Sequence, residues 1–291
     1  MTQATNDNED LLLEPIERIP ILPDSIIKNE CYEAKIESIY DPSKFWLVIK
    51  VKELAIFMKY LKYFYDKPQN QRPVIQGKLE KGLLCIVRSN EKYYRGYIQP
   101  VLLPDQNKLR VFMMDYGLIL NVPATDVFFI FKKHSQVPGF AIRACLADVV
   151  PTGTSEGWSQ TDLKSFCALI EGRRLRAKIC EIDTKQCILF VEIKTLYGKI
   201  CKSVSTSLVY MGLAVYNKNT LVSKVAKKRV TKYKPKIKYR HLFPTFEALE
   251  NGIVPCSLWE HDLLKHSVPL DILYKHLYDY QDIADTVSET S

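Results

Sequence analysis

The sequence predicts a mainly β protein with a few helices, in which a small curled barrel is inserted within a second β-rich unit. Three observations lead there. Short apolar runs follow one another closely between residues 83 and 123, divided by turn residues. Stretches of strand character lie on both sides of that block. Helical periodicity is confined to short segments around it.

Residues 1–27 read as a disordered tail, because MTQATNDNEDLLLEP is acidic and polar and prolines at 15, 20 and 23 interrupt any regular pattern. From Cys31 the sequence CYEAKIESIY alternates, with Tyr32, Ala34, Ile36 and Ser38 on one side and Glu33, Lys35 and Glu37 on the other, the period of a half-buried strand. FWLVIKV supplies a second strand after the turn residues Asp41, Pro42 and Ser43. Leu54, Phe57, Met58, Leu61 and Phe64 or Tyr65 recur at three- and four-residue steps and predict an amphipathic helix that ends before Pro68 and Pro73. Four barrel strands are expected, over about 83–87, 93–100, 109–114 and 119–123. After Pro138 and Gly139 come a strand over 141–149 and a Gly-, Thr- and Ser-rich loop to Trp158. A helix then starts near Asp162, capped by Ser159 or Thr161, with Leu163, Phe166 and Leu169 on one face. Strands over 175–182, 187–193 and 198–204 and a short helical turn complete the body near Ala214.

The net charge of +8 is unevenly placed. Ten lysines and arginines and no acid lie between Lys218 and Arg240; without them the remainder is near −2. Within this segment Lys227, Lys228, Arg229, Lys232, Lys234, Lys236, Lys238 and Arg240 are interleaved with tyrosines, a pattern suited to phosphates and unpaired bases of RNA. A nuclear-import signal and a solvated linker are the alternatives. Beyond it, Leu270, Leu273 and Leu277 follow helical spacing, and the short amphipathic helix they predict covers either the body or a partner. The eight cysteines contain no CxxC pair and, with neither a secretory signal nor a run of about 20 apolar residues, read as reduced thiols of a cytosolic or nuclear protein with no membrane attachment.

Four separated stretches, YDPSKFW (40–46), KYYRGYI (92–98), VFMMDYG (111–117) and LADVVPTGTSEGW (146–158), together with the order of elements, resemble the extended Tudor family. In that family a Tudor barrel is inserted into a staphylococcal-nuclease-like, OB-type fold. The resemblance divides the chain into a tail (1–27), a first part of the nuclease-like unit with a linker helix (28–78), the Tudor barrel (79–135), a second nuclease-like part (136–216), a basic linker (217–242) and a C-terminal helical extension (243–291).

The family's barrel holds methylated arginine in an aromatic cage, through cation–π and stacking contacts worth roughly 0.5–2 kcal/mol each. Carried over position by position, the cage is degenerate. Ser89 stands where a phenylalanine is common, Tyr94 is retained, Met113 replaces an aromatic, Tyr116 is retained, and Leu118 replaces an asparagine that bonds the guanidinium. The resemblance implies a lip formed by these residues, binding either a methylated arginine or an unmodified peptide, or else serving structure alone. Arg95 and Asp115 match a pair that braces the barrel.

No catalytic constellation is assembled. Asp41, Asp148 and Asp183 are not spaced to paired arginines as a metal-dependent nuclease requires, and GxSxG, HExxH and phosphate-cradling glycine loops are absent from the sequence. The expectation is a non-enzymatic adaptor without cofactor or metal. By resemblance its partner is the arginine-rich tail of a Piwi-class Argonaute or another germ-granule protein, in perinuclear granules where piRNAs are made and transposons silenced. The alternative is a single-stranded RNA-binding protein using the OB-like unit and residues 218–240.

Overall fold

In the computed structural model the described residues are 10–16, 22–99, 108–152, 157–197, 200–216 and 244–252. The basic segment 218–240 and the helix expected around 270–278 lie outside them.

Strand β1 (Leu11–Leu12) is followed by the long β2 (Cys31–Asp41) and β3 (Lys44–Val48). The tight turn between the last two is made by Asp41, whose Oδ1 accepts hydrogen bonds at 2.6 Å from both the amide and the hydroxyl of Ser43. Helix α1 (Val51–Tyr65) then leads to the five strands β4 (Leu84–Ser89), β5 (Lys92–Ile98), β6 (Lys108–Met113), β7 (Leu118–Pro123) and β8 (Val127–Phe131). After the single turn α2 (Lys132–Ser135) the chain returns in β9 (Ile142–Leu146) and β10 (Val149–Pro151), helix α3 (Gln160–Ile170), β11 (Arg174–Asp183), β12 (Ile188–Tyr197), β13 (Ile200–Ser203), α4 (Val204–Tyr210) and β14 (Ala214–Tyr216). A five-residue helix, α5 (Phe246–Glu250), ends the described chain.

The nuclease-like unit closes on itself. β2 pairs with β3, β3 with β9, β9 with β12, and β11 with both β12 and β2, so the strands form a ring with no free edge between them. The β9–β12 pairing is parallel, and the others are antiparallel. This is the arrangement of an OB-type barrel. Its core is aliphatic, with Phe45 and Phe166 in tilted contact at 5.7 Å and Leu47, Ala144, Ile179, Val191 and Ile193 fully buried. Ser159 caps α3 through a reciprocal capping box with Asp162, so of the two expected caps the serine is the one used.

The chain leaves this unit after β3 and re-enters it at β9, and those two strands are direct neighbours, Phe45 opposite Ala144. The inserted barrel therefore replaces what would otherwise be a hairpin connection. Its strands run in the order β8-β4-β5-β6-β7, with β1 added beside β8. The strand β8 was not among the four expected. VFFIF shows no alternation because both of its faces are buried, Val127 and Phe129 toward the barrel core and Phe128 and Ile130 toward α1. The expectation of a structureless tail also fails in part: Leu11 is 5 % exposed, packs into the barrel core and pairs with Phe131. A two-residue strand that covers an open edge carries too little pattern to be read from sequence.

Helix α1 lies on the outside of the barrel, burying Leu54, Leu61 and Tyr65. Full burial of such side chains stabilises by about 1.5–3 kcal/mol each. Tyr93 and Tyr97, on β5, pack in this seam, with the Tyr65 and Tyr93 rings 5.7 Å apart. Among the described residues no helix is long and apolar enough to cross a membrane.

His134, 1 % exposed, joins α2 to α1. Its Nδ1 lies 2.9 Å from the Tyr65 hydroxyl, its Nε2 lies 3.4 Å from that of Tyr60, and the Phe64 ring is 4.8 Å away. Burial, with Lys133 and Arg95 nearby, lowers its pKa from 6.5 to about 4. The unfolded chain therefore binds a proton between those pH values that the folded protein does not, and stability should fall as pH drops from 6.5 toward 4. Urea melts across that range should show a shallower pH dependence in His134→Gln than in the wild type.

Candidate functional site

The barrel rim is built by two hairpins. In the first, β4 and β5 are joined through Asn90 and Glu91, both at positive φ (49° and 58°), with Ser89 opposite Lys92 and Val87 opposite Tyr94. Two left-handed residues give a turn whose twist matches that of the strands. In the second, Met113 pairs with Leu118, and the amides of Tyr116 and Gly117 donate to the Met113 carbonyl at 3.1 and 2.8 Å. Gly117 has φ 71°, and a Cβ there would fall 2.1 Å from Cγ of Trp46 on β3. Only glycine lets this turn rest on the nuclease-like unit.

Tyr94 and Tyr116 meet in an edge-to-face contact, ring centroids 5.6 Å apart and planes at 72°. Both are half-buried and, with Leu118, pack against the barrel core. Burial pushes both phenols above their ordinary pKa; for Tyr116 the adjacent Tyr94, Glu37 and Asp115 add to the effect. Met113 is different. It is 0 % exposed and belongs to the barrel core, so the expected thioether contribution to the lip is corrected: the side chain supports the rings from beneath. Ser89 is half-buried at the end of β4, where its hairpin turns. The structure thus brings Tyr94, Tyr116, Leu118 and Met113 into one cluster.

A guanidinium sandwiched between two rings needs parallel faces about 7 Å apart, twice an ordinary contact distance. The T-shaped pair does not offer that slot, but it presents aromatic surface at a half-exposed rim. The residue that sequence reasoning missed is Glu37. It lies on β2, in the other unit, near enough to Tyr116 for its charge to act on the phenol; its side chain is 13 % exposed and pairs with Lys35 at 2.7 Å. Alternation alone placed it on the polar side of a strand and gave no sign that the strand passes the barrel rim.

Behind the rim, Arg95 and Asp115 are both wholly buried. Nε and Nη2 of Arg95 donate to the two carboxylate oxygens at 3.0 and 2.6 Å. Nη1 donates to the carbonyls of His134 and Val137, and Nη2 also to that of Pro138. The guanidinium lies 4.6 Å from the Phe57 ring centroid, and Asp115 accepts from the Phe140 amide at 3.2 Å.

Asp115→Ala would leave this guanidinium without its counter-charge, and chemical denaturation should register a loss of about 3–5 kcal/mol. Gly117→Ala combines a left-handed backbone with a collision at Trp46 and should lower the melting temperature sharply, whereas Glu91→Ala, on the exposed first hairpin, should not.

The Tudor domain model matches residues 26–148. Human Tudor domain-containing protein 6 is 25 % identical over 191 residues, which is 65 % of this chain and 9 % of that protein, so the match spans under a tenth of the relative. Among solved structures, the extended Tudor domain TD3 of mouse TDRD1, in complex with a dimethylarginine-containing MILI peptide, superposes with a TM-score of 0.56 at 20 % identity, covering 69 % of this chain and 99 % of that one. A variant of the Drosophila melanogaster Papi extended Tudor domain, in complex with a Piwi N-terminal peptide, gives 0.54 at 16 % identity, covering 64 % and 99 %. The insertion of one barrel between neighbouring strands of another, the rim and its buried brace, and these matches lead to one conclusion: this chain contains a Tudor domain, in an extended Tudor fold.

Proposed function

We propose that the protein is a non-catalytic adaptor that takes an arginine side chain of another protein's extended peptide at the barrel rim, with Tyr94 and Tyr116 supplying ring faces and Glu37 the anion. The observation that carries this reading is the edge-to-face tyrosine pair at the half-exposed rim, with the Glu37 charge acting on Tyr116. Ring faces attract a cation whether or not it is methylated. A carboxylate gains most from a guanidinium that keeps its N–H donors, because methylation blocks bidentate hydrogen bonding. With Leu118 in place of an amide and no open slot between rings, the site favours an unmodified arginine at least as much as a dimethylated one.

The related domains that carry MILI and Piwi peptides support a Piwi-class Argonaute tail as the partner. The setting proposed with it is a perinuclear germ granule in the piRNA pathway. A second reading, single-stranded RNA binding, is favoured by the ten cations between Lys218 and Arg240; deletion of 218–240 and a steep salt dependence would identify it.

Isothermal titration with matched arginine peptides tests the main reading. Unmethylated and symmetrically dimethylated forms should bind within about threefold of each other. Tyr116→Ala should weaken both about tenfold, which is about 1.4 kcal/mol, and Glu37→Gln should weaken the unmethylated form more. Tenfold preference for the dimethylated peptide would show a working methyl cage, and binding of neither would end the proposal.

A further inference from the structure

The short helix α5 sits in a seat made by both units. Phe246 and Leu249 are 2 % and 1 % exposed, and Phe246 meets Trp46 edge-on at 5.2 Å. The Glu250 carboxylate receives Arg143 Nε at 3.1 Å and Nη2 at 2.6 Å, and the same Oε1 takes the indole N–H of Trp46 at 3.1 Å. Glu247, its side chain 52 % exposed, pairs with Arg143 Nη1, and Arg110 on β6 donates to the Gly252 carbonyl at 3.0 Å. Thr245 caps the helix through the Ala248 amide.

The segment has the marks of a ligand. A helix of five residues cannot hold its own shape, so its order comes from the seat. Residues 217–243 separate it from β14, so it arrives from a distance in sequence. Its recognition is chemically specific: an aromatic and a leucine three residues later fill an apolar slot, while acids one and four residues after the aromatic meet a buried arginine. The carboxylate of Glu250 is read bidentately by Arg143 and a third time by Trp46.

We propose that the seat formed by Trp46, Arg143 and Arg110 is a second protein-recognition groove, for a partner's short acidic helix with this aromatic, leucine and glutamate spacing, and that residues 245–252 occupy it as a tethered, exchangeable ligand. The tether gives the cis segment a high effective concentration, so a partner gains the groove only by outcompeting it. The groove shares Trp46 with the seat of the Gly117 turn, and the case for it stands whatever the rim binds.

The test uses the full chain carrying Phe246→Ala and Glu250→Gln, which empties the groove and leaves its walls intact, with a fluorescent peptide of residues 243–253 as the probe. The peptide should bind this variant and bind the wild type at least tenfold more weakly. Adding Arg143→Ala to the variant, or Glu250→Gln to the peptide, should abolish binding. Equal binding to wild type and variant, or none to a variant whose circular dichroism is native, would overturn the proposal. So would unfolding of the variant, which would make the segment fixed core, or a swapped dimer of the wild type by light scattering.

Discussion

A guanidinium shut away from water holds this molecule's parts in register. Arg95 comes from the middle of the inserted barrel, yet its donors reach the Asp115 carboxylate on the rim turn and three carbonyls of the segment returning to the nuclease-like unit, while its face rests on Phe57 of the linker helix. A buried arginine is tolerated only when its donors and its charge are both answered. Here the answers come from separate stretches of chain, so the charge is satisfied only when barrel, helix and return segment are assembled. The pair also fixes the rim: Tyr116 is the next residue after Asp115, and its ring cannot wander far from a neighbour held by two short hydrogen bonds. The pair expected to brace the barrel is wholly buried, and its hydrogen bonds extend to the connection between units.

The fold was legible where one face of an element meets water. β2 alternates, α1 carries a stripe, and α3 announces itself by a serine cap with an acid three residues on; each was placed within a few residues. Legibility failed where a segment is buried on both sides or is too short to have a period. Val127–Phe131 is sandwiched between barrel core and helix, and Leu11–Leu12 is a patch on an edge. The helix α5 escaped for the second reason, since five residues with two acids and three apolar side chains fit many states until Trp46 and Arg143 are placed beside them.

At the site, sequence named positions that the fold gathers in one cluster, Tyr94, Met113, Tyr116 and Leu118, and could not supply their third dimension. Residue types at 94 and 116 say that rings are present. The angle between those rings, 72°, depends on how the second hairpin leans, and that lean is set by Gly117 against Trp46, a contact across units. The same limit applies to Met113. The resemblance placed it where the family has a cage aromatic, but the side chain alternates inward and fills the barrel. Where the family resemblance implies an amide, this chain has Leu118, and a carboxylate whose charge reaches Tyr116 comes from a strand more than seventy residues earlier.

The approach of a β2 carboxylate to the rim follows from the insertion itself. Because β3 and β9 are neighbours, the barrel hangs from the nuclease-like unit by two adjacent strand ends, and its rim turn is pressed onto β3 at Trp46. β2 pairs with β3 on its other side, which carries Glu37 to the rim. One residue, Trp46, therefore has two duties: its ring sets the height of the Gly117 turn, and its N–H donates to the Glu250 carboxylate of α5. Any force that moves α5 acts on the same indole that positions the aromatic rim. The aromatic rim and α5 thus rest on one shared side chain rather than on separate parts of the scaffold.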